Sequence, residues 1–218
     1  MPGEVQRWRA FSSATVSDAL DRLGIPGQCH GIKPLDGAFR VLGRAYTVRY
    51  IPVGPAQGNV GDYIDDVAPG DVVVLDNGGI QDATVWGDIL TSVAHRRGVA
   101  GTVIHGVCRD SARSLELGYP IFSRGHYMRT GKDRVQADAF NVPVSLGQVR
   151  VEPGDILFGD RDGLLVVPKL REDEVHCAAL AIEESEDRIR DAVAQGERLD
   201  EARRRFGYFN LQRRSDGK

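Results

Sequence analysis

The chain has 218 residues, of which 41% are hydrophobic, and a formal net charge of −3. The length allows one domain over residues 1–218 with a substantial core, and the charge argues against a general nucleic-acid binder. The sequence has no apolar N-terminal segment and no apolar run long enough for a membrane helix, so we expect a cytoplasmic protein that does not bind membranes. Its 3 cysteines lack CxxC spacing, which indicates a reducing compartment rather than a disulfide framework.

In chain order, the sequence predicts helices that alternate with short strands. Residues 11–23 are expected to form a helix with Ser12 or Ser13 near its cap. Leu170–Ala194 predicts a long amphipathic helix, and the tail from about residue 208 is expected to be flexible. Runs of apolar and β-branched residues predict strands at 42–50, 71–76, 99–105, 120–123, 155–158 and 164–168. This alternation is typical of an α/β fold.

The middle of the chain predicts a helix-strand-helix unit. Apolar residues recur with the spacing of an amphipathic helix, at 86, 89, 90, 93 and 94. Gly98 would end that helix, residues 99–105 would form a buried strand, and residues 110–118 a second short helix. Asp88 then opens one helix and Asp110 opens the next. Because the elements of such a unit pack together, we expect these two helix starts to be neighbours.

The residues at these helix starts suit an α-keto acid. The backbone amides of Gly87, Asp88, Ile89 and Leu90 form a turn that is expected to bind a substrate carboxylate. Arg109 offers a planar fork of donors for a second oxygen of the same ligand, or for an enolate. Asp110, and Asp88 through water, would hold Mg²⁺ (or Mn²⁺), since Mg²⁺ prefers oxygen ligands and keeps several of its waters.

These residues also have structural interpretations. An aspartate at a helix start commonly caps the helix, and an Arg-Asp neighbour pair is commonly a weak surface ion pair. Cys108 is interpreted as a small core residue rather than a nucleophile, and His105 as a packed histidine rather than a proton relay. The basic loop 127–134 would either touch a distal substrate carboxylate or be solvated. No lysine lies in a segment expected to be buried beside the motif, so a Schiff base is not expected.

Asp88 is separated by twenty intervening residues from the pair Arg109-Asp110, and this motif resembles the RraA-like family. That family includes class II pyruvate aldolases. The resemblance covers roughly residues 10–195 and is carried by Ser13–Gly24, Ile32–Leu35, Ala45–Val48, Pro69–Asp76, Gly87–Leu90, Arg96–Asp110, Leu117–Gly125 and Pro153–Gly163. It implies the layered β/β/α swivelling-domain fold, with helices around central sheets.

The resemblance also implies roles for individual residues. Asp110 matches the direct Mg²⁺ ligand, Asp88 matches the carboxylate that acts on the metal through water, and Arg109 matches the arginine that binds the keto oxygen and the developing enolate. The amides of Gly87–Leu90 match the cradle for the pyruvate carboxylate. Family members use a further glutamate from an adjacent subunit, for which Glu186 is the candidate here, and they assemble as homotrimers or hexamers.

The implied function is metal-dependent retro-aldol cleavage of a 4-hydroxy-2-oxo acid of the 4-hydroxy-4-methyl-2-oxoglutarate type, which gives pyruvate. Oxaloacetate decarboxylation passes through the same enolate and is expected as a related activity. The alternative is a non-catalytic regulatory protein that binds a ribonuclease or another protein partner. Some members of the family carry an acidic residue shortly after the motif aspartate, whereas this chain continues Ser111-Ala112-Arg113 before its next acid, Glu116. Arg113 would favour an extra substrate carboxylate or form an ion pair with Glu116.

Overall fold

Helices and strands alternate through residues 5–55 and 60–211, which are the residues that the computed structural model describes. The α-helices in this part of the chain are α1 Ser13–Arg22, α2 Asp88–Arg96, α3 Ser111–Leu117, α4 Glu172–Ala194 and α5 Leu199–Arg205. The strands are β1 Lys33–Pro34, β2 Val41–Pro52, β3 Val72–Asp76, β4 Gly101–His105, β5 Ile121–Ser123, β6 Val135–Phe140, β7 Val144–Leu146, β8 Val149–Val151, β9 Ile156–Asp160 and β10 Gly163–Val167. Short 3-10 turns cover Arg7–Ala10, Asp62–Asp66, Lys169–Arg171 and Tyr208–Asn210.

Strand β2 joins two parts of a large curved sheet. The strand order is β1-β5-β4-β3-β2-β9-β10, and β6 also pairs with β2. Residues 41–44 of β2 pair with β9 in an antiparallel ladder, whereas residues 45–49 pair with β3 in a parallel one. Residues 48–52 pair with β6 on the other side. Because β2 has 12 residues and changes partners along its length, the sheet curls into a partly closed, barrel-like layer.

The parallel part of the sheet positions the starts of α2 and α3 at one edge. Strands β2, β3, β4 and β5 are parallel neighbours, α2 connects β3 to β4, and α3 connects β4 to β5. Asp76 at the end of β3 is paired with His105 at the end of β4. Both helices therefore begin beyond the carboxyl ends of neighbouring strands, which is the edge where open α/β sheets bind ligands.

Alternating side chains of β3 separate two hydrophobic cores. Val73 and Leu75 pack in the core that contains Trp86. Val72 and Val74 pack in the core that contains the β7–β8 hairpin. All four side chains are fully buried, and each such burial contributes about 1.5–3 kcal/mol. The strands that carry the site are thus held from both faces.

Helices α1 and α4 cover a third core on strands β9 and β10. Ser12 caps α1, as predicted, by accepting a hydrogen bond from the Thr15 amide at 3.1 Å. Leu20 of α1 and Ile182 of α4 are fully buried in this core. The helix expected from residue 170 starts with the 3-10 turn, and its α-helical part begins at Glu172.

The predicted layered α/β fold is confirmed, as are all six predicted strands, with shifts of one or two residues at most of their ends. The sequence does not predict β1, β6, β7 or β8, whose apolar patterns are short or broken by polar residues. Residues 212–218 of the expected flexible tail lie outside the described residues. The flexibility of that tail and the organisation of the chain as a single domain stay predictions. In the described ranges, no helix combines the length and the apolar character needed to cross a membrane.

Candidate active site

The starts of α2 and α3 lie side by side. The Arg109 amide donates a hydrogen bond to the Trp86 carbonyl at 3.0 Å. The Asp88 amide donates to Oδ2 of Asp110 at 3.3 Å. The structure therefore brings Asp88, Arg109 and Asp110 together from two separate helices, which is the proximity that the sequence predicts.

Gly87 makes this close approach possible. Its backbone is extended, with φ −149° and ψ −167°, a conformation that other residues also adopt. A Cβ at this position would lie 2.8 Å from Oδ2 of Asp110 and 3.3 Å from Nε of Arg109. Gly87 is needed here for space rather than for backbone freedom, because a methyl group would displace the Asp110 carboxylate.

Asp110 combines a left-handed backbone with a lightly engaged carboxylate. Its φ of 54° and ψ of 38° are in a region that costs most residues about 1–2 kcal/mol and that aspartate tolerates better than most. Nε of Arg109 lies 3.4 Å from Oδ2 of Asp110, and the two side chains are 41% and 42% exposed. Such an exposed, long ion pair contributes little to stability. Both groups are therefore open to a ligand.

A buried hydrogen-bond chain fixes the first turn of α2. Trp86 Nε1 donates to Oγ1 of Thr91 at 2.9 Å, and that hydroxyl donates to the Gly87 carbonyl at 2.9 Å. The Trp86 ring also stacks on Tyr119, with ring centroids 6.3 Å apart. The amphipathic pattern includes Trp86 only as an apolar helix residue, and it does not single out Thr91. A tryptophan that precedes a threonine by five residues, with a helix start between them, is the sequence signal that would have predicted this hydrogen bond.

Two cavities meet at Arg109. The larger has a volume of about 660 Å³ and is lined by Asp88 and Arg109, which is the size of many small-ligand pockets. The smaller, of about 260 Å³, is lined by Arg109 and Asp110. Lys132 also lines the larger cavity, and it belongs to the basic loop 127–134, for which contact with a distal substrate carboxylate is one of the two interpretations.

The turn Gly87–Leu90 forms one wall of the larger cavity. Gly87 precedes the helix and has no side chain with which to cap the first-turn amides, so these amides suit an anion. Ile89 is 74% exposed. The amphipathic pattern misplaces this residue because it assigns Ile89 to the buried face of α2.

The donor set fits a hard divalent cation. Asp110 and Asp88 offer carboxylate oxygens at adjacent helix starts, and the 42% exposure of Asp110 leaves room for water ligands. Mg²⁺ is commonly held by one or two carboxylates and several waters. In residues 5–55 and 60–211, no three or more His, Cys, Asp and Glu side chains gather into a group that could hold a metal.

Glu186 is not on an element that builds this site. It lies on α4, where its Oε2 accepts a hydrogen bond from Arg190 at 3.2 Å. Helix α4 packs with α1 over the third core, whereas the site is formed by the starts of α2 and α3. The predicted contact of Glu186 comes from an adjacent subunit and stays a prediction.

Cys108 and His105 have structural roles. Cys108 is fully buried, and burial raises the pKa of its thiol to about 11, so the thiol is a poor nucleophile at neutral pH. Nδ1 of His105 lies 3.1 Å from Oδ1 of Asp76, and the ring does not line either cavity at Arg109. The packed interpretation holds for both residues.

Arg113 links α3 to α2. Its Nε donates to Oγ of Ser92 at 3.1 Å, and its Nη1 donates to Oε2 of Glu116 at 2.8 Å. Of the two interpretations of Arg113, the structure therefore contains the ion pair with Glu116.

Comparisons with known proteins agree with this arrangement. The RraA-like family, described as Aldolase/RraA, matches residues 13–166. Protein DlpA of Legionella pneumophila is 43% identical over 211 residues, which are 95% of this chain but only 34% of DlpA. The chain thus spans about a third of that relative.

For two further proteins, the match covers a larger share of the relative's own length. A protein of Halalkalibacterium halodurans named "Putative 4-hydroxy-4-methyl-2-oxoglutarate aldolase" is 36% identical over 174 residues, which are 78% of this chain and 79% of that protein. The solved structure of Streptomyces coelicolor RraAS2, described as "an unusual member of the RNase ES inhibitor RraA protein family", has a TM-score of 0.76 at 33% identity, covering 84% of this chain and 93% of that one.

Proposed function

The chain belongs to the RraA-like family, and from that premise we propose that it is a divalent-metal-dependent carbon-carbon lyase. The proposed reaction is retro-aldol cleavage of a 4-hydroxy-2-oxo acid of the 4-hydroxy-4-methyl-2-oxoglutarate type to give pyruvate. Oxaloacetate decarboxylation is proposed as a related activity. The observation that carries the proposal is the meeting of Asp88, Arg109 and Asp110 beside a ligand-sized cavity.

Each group of the keto acid has a partner at this edge of the sheet. The carboxylate would bind the amides of Gly87–Leu90, where the helix start favours an anion. Arg109 would donate to the 2-oxo oxygen and stabilise the negative charge that develops on it. Asp110 directly, and Asp88 through water, would hold Mg²⁺ or Mn²⁺, which would supply further positive charge to stabilise the enolate.

The bond changes follow from this placement. The 4-hydroxyl loses its proton and becomes a carbonyl as the C3–C4 bond breaks. The released electron pair forms the C2–C3 double bond, and the 2-oxo group becomes the enolate oxygen next to Arg109. Protonation at C3 then gives pyruvate, and Asp88 would move a proton through water. In oxaloacetate the bond to the C4 carboxylate breaks instead, CO₂ leaves, and the same enolate forms.

A coupled assay for pyruvate tests the proposal. The panel contains 4-hydroxy-2-oxo acids and oxaloacetate, with Mg²⁺ or Mn²⁺ and with a chelator. We expect pyruvate release that the chelator abolishes, and that Arg109→Ala loses at least a hundredfold, roughly the loss seen when a donor to a developing oxyanion is removed. Background rates for every acid with the wild-type protein would contradict the proposal.

A non-catalytic regulator of a ribonuclease or another protein is the alternative. The description of Streptomyces coelicolor RraAS2 supports it. This alternative predicts inhibition of a partner ribonuclease by the wild-type chain and equal inhibition by Asp110→Asn, since a surface contact does not need the carboxylate. Ribonuclease assays with both proteins separate it from the enzyme.

We also propose a homotrimer or a hexamer with the site at the subunit contact. Ile89 and Met128, which lie next to Asp88 and Arg109 in the cavity walls, are 74% and 75% exposed, and large exposed apolar side chains often mark contacts between proteins. Light scattering should give a mass of three or six 23.8 kDa chains. A monomer at assay concentration would contradict this assembly and the proposed role of Glu186.

A further inference from the structure

The three cationic side chains of residues 129–134 differ in their hydrogen-bond partners. Arg129 Nη1 donates to Asp82 at 3.1 Å. Arg134 Nη1 donates to the carbonyls of Thr130 and Lys132, both at 3.3 Å. Arg129 thus ties the loop to Asp82 and Arg134 bonds within the loop, which leaves Lys132 as the cation available for a ligand.

Lys132 faces a ligand-sized space. It lines the same 660 Å³ cavity as Arg109. Across the described ranges, no carboxylate forms an ion pair with its ammonium group. Asp62, Asp65 and Asp88 also line this cavity, and Asp65 pairs with Arg97 at 3.4 Å. The cavity therefore has two cationic side chains, Arg109 and Lys132, on separate segments.

The loop of residues 129–134 is hydrogen-bonded directly to Thr84, which lies in the segment that leads into α2. The Thr84 amide and hydroxyl both donate to the Arg129 carbonyl, at 3.1 and 2.9 Å. A Cβ on Gly131 would lie 2.3 Å from the Thr84 carbonyl oxygen, so the loop backbone rests against the backbone of this segment. Lys132 follows Gly131 directly, and its position relative to Gly87 is thereby fixed.

We propose that Lys132 binds the distal carboxylate of the substrate and makes the site selective for dicarboxylic 4-hydroxy-2-oxo acids. This inference rests on the proposed function, because it assigns the 2-oxo acid end of the ligand to Arg109 and the helix start. A dicarboxylate presents one anion to each cationic end of the cavity. Lysine suits the distal end because its flexible stem and compact charge follow a carboxylate whose position varies among substrates.

The walls between the two cations fit the carbon body of such a ligand. Val85, Leu90 and Val93 line the larger cavity, and apolar walls with a few placed polar groups are typical of ligand sites. A 4-methyl or 4-alkyl substituent would lose water contact against these side chains. The proposed ligand is thus a dicarboxylate with an apolar centre.

The kinetic test compares a dicarboxylic substrate, 4-hydroxy-4-methyl-2-oxoglutarate, with a monocarboxylic one, 4-hydroxy-2-oxopentanoate. Lys132→Met should lower kcat/KM for the dicarboxylate about ten- to hundredfold, mainly through KM, as expected for a hydrogen bond to a charged group. The monocarboxylate should change less than about twofold, because it makes no such bond. Lys169→Met, an exposed lysine outside both cavities at Arg109, is the matched control and should behave as wild type.

Binding of uncleavable acids gives a second measurement that does not need turnover. By calorimetry, wild type should bind 2-oxoglutarate more tightly than 2-oxobutanoate, and Lys132→Met should remove that preference. Equal losses for both substrates, or an unchanged preference in Lys132→Met, would overturn the inference while leaving the lyase in place. Absence of pyruvate from every acid with wild type would instead overturn the proposed function and, with it, this role of Lys132.

Discussion

Two aspartates lie beside helix starts in different parts of the sheet, and their surroundings differ sharply. Asp160, beside α1, accepts hydrogen bonds from the Ser13 amide at 2.9 Å, the Ser13 hydroxyl at 2.6 Å and the Asp162 amide at 3.0 Å. Its side chain is 7% exposed. Asp110, beside α2, accepts one long hydrogen bond and is 42% exposed. The same chemical group is thus saturated in one place and open in the other.

The difference separates a structural carboxylate from a candidate catalytic one. Burial of Asp160 acts to raise its pKa, but the hydrogen bonds from Ser13 and Asp162 prevail, and the pKa is lowered from its usual range. Hydrogen bonds occupy three of the roughly four acceptor sites of this carboxylate, and its burial leaves little room for a ligand. Asp110 keeps that capacity because its neighbours, above all Gly87, leave it exposed. Proximity to a helix start therefore does not by itself identify a site.

The largest expected effect comes from exchanging each carboxylate for its amide. Asp110→Asn should lower pyruvate release at least a hundredfold, roughly the loss from removing a charge-stabilising group. Its unfolding midpoint should stay that of wild type, because asparagine also tolerates the left-handed backbone. Asp160→Asn should do the reverse and cost about 1–3 kcal/mol of stability, as expected for a buried hydrogen-bonded charge, with normal activity per folded molecule. Kinetics and urea unfolding on both variants test this; equal profiles for the two would refute the comparison.

Two glycine substitutions sharpen the comparison between the open carboxylate of Asp110 and the buried one of Asp160. Gly87→Ala should lower activity about tenfold or more with little change in stability, because the methyl group displaces the mobile end of Asp110 from its place in the site. Gly131→Ala places the methyl group against the Thr84 carbonyl and should destabilise the fold by about 1–3 kcal/mol, as overpacking does. The readouts are again turnover and urea unfolding. A stability loss in Gly87→Ala as large as that in Gly131→Ala would contradict the spatial role of Gly87.

Local signals explain why much of the fold was predictable. Continuous apolar runs such as 72–75 predict strands buried on both faces, and Ser12 predicts a helix cap. The edge position of Asp88 and Asp110 also followed, because helices of a parallel unit begin at the same end of the sheet. Here the physical cause of each feature acts within a few residues of it.

The features that the sequence left out depend on contacts far along the chain. The Ser13 bonds to Asp160 join residues 147 positions apart. The sequence leaves open whether the basic loop 127–134 meets a ligand or solvent, and the packing of that loop on Thr84, 45 positions before Arg129, holds Lys132 at the cavity. The exposure of Ile89 likewise depends on what covers α2. Helical periodicity describes one element and contains no information on such neighbours.

The contribution of Asp160 to the free energy of unfolding should depend on pH in acid, which is a smaller effect with a definite sign. Because the pKa of Asp160 is lower in the folded protein than its unfolded value of about 3.9, the folded state binds fewer protons. Its contribution is complete above that unfolded value and is lost as pH falls through the folded pKa. In urea unfolding, the stability gap between wild type and Asp160→Asn should be constant from about pH 7 to 5 and shrink below about pH 4. A gap that widens in acid would show the opposite sign.

The smallest expected effect is at Arg113. Its bonds to Ser92 and Glu116 are partly exposed, with the Arg113 side chain 38% exposed, so Arg113→Met should cost within about 1 kcal/mol. The residue does not line either cavity at Arg109, so KM for a dicarboxylic substrate should change less than about twofold. The measurement is steady-state kinetics beside Lys132→Met. A rise in KM as large as that in Lys132→Met would move the distal carboxylate to Arg113.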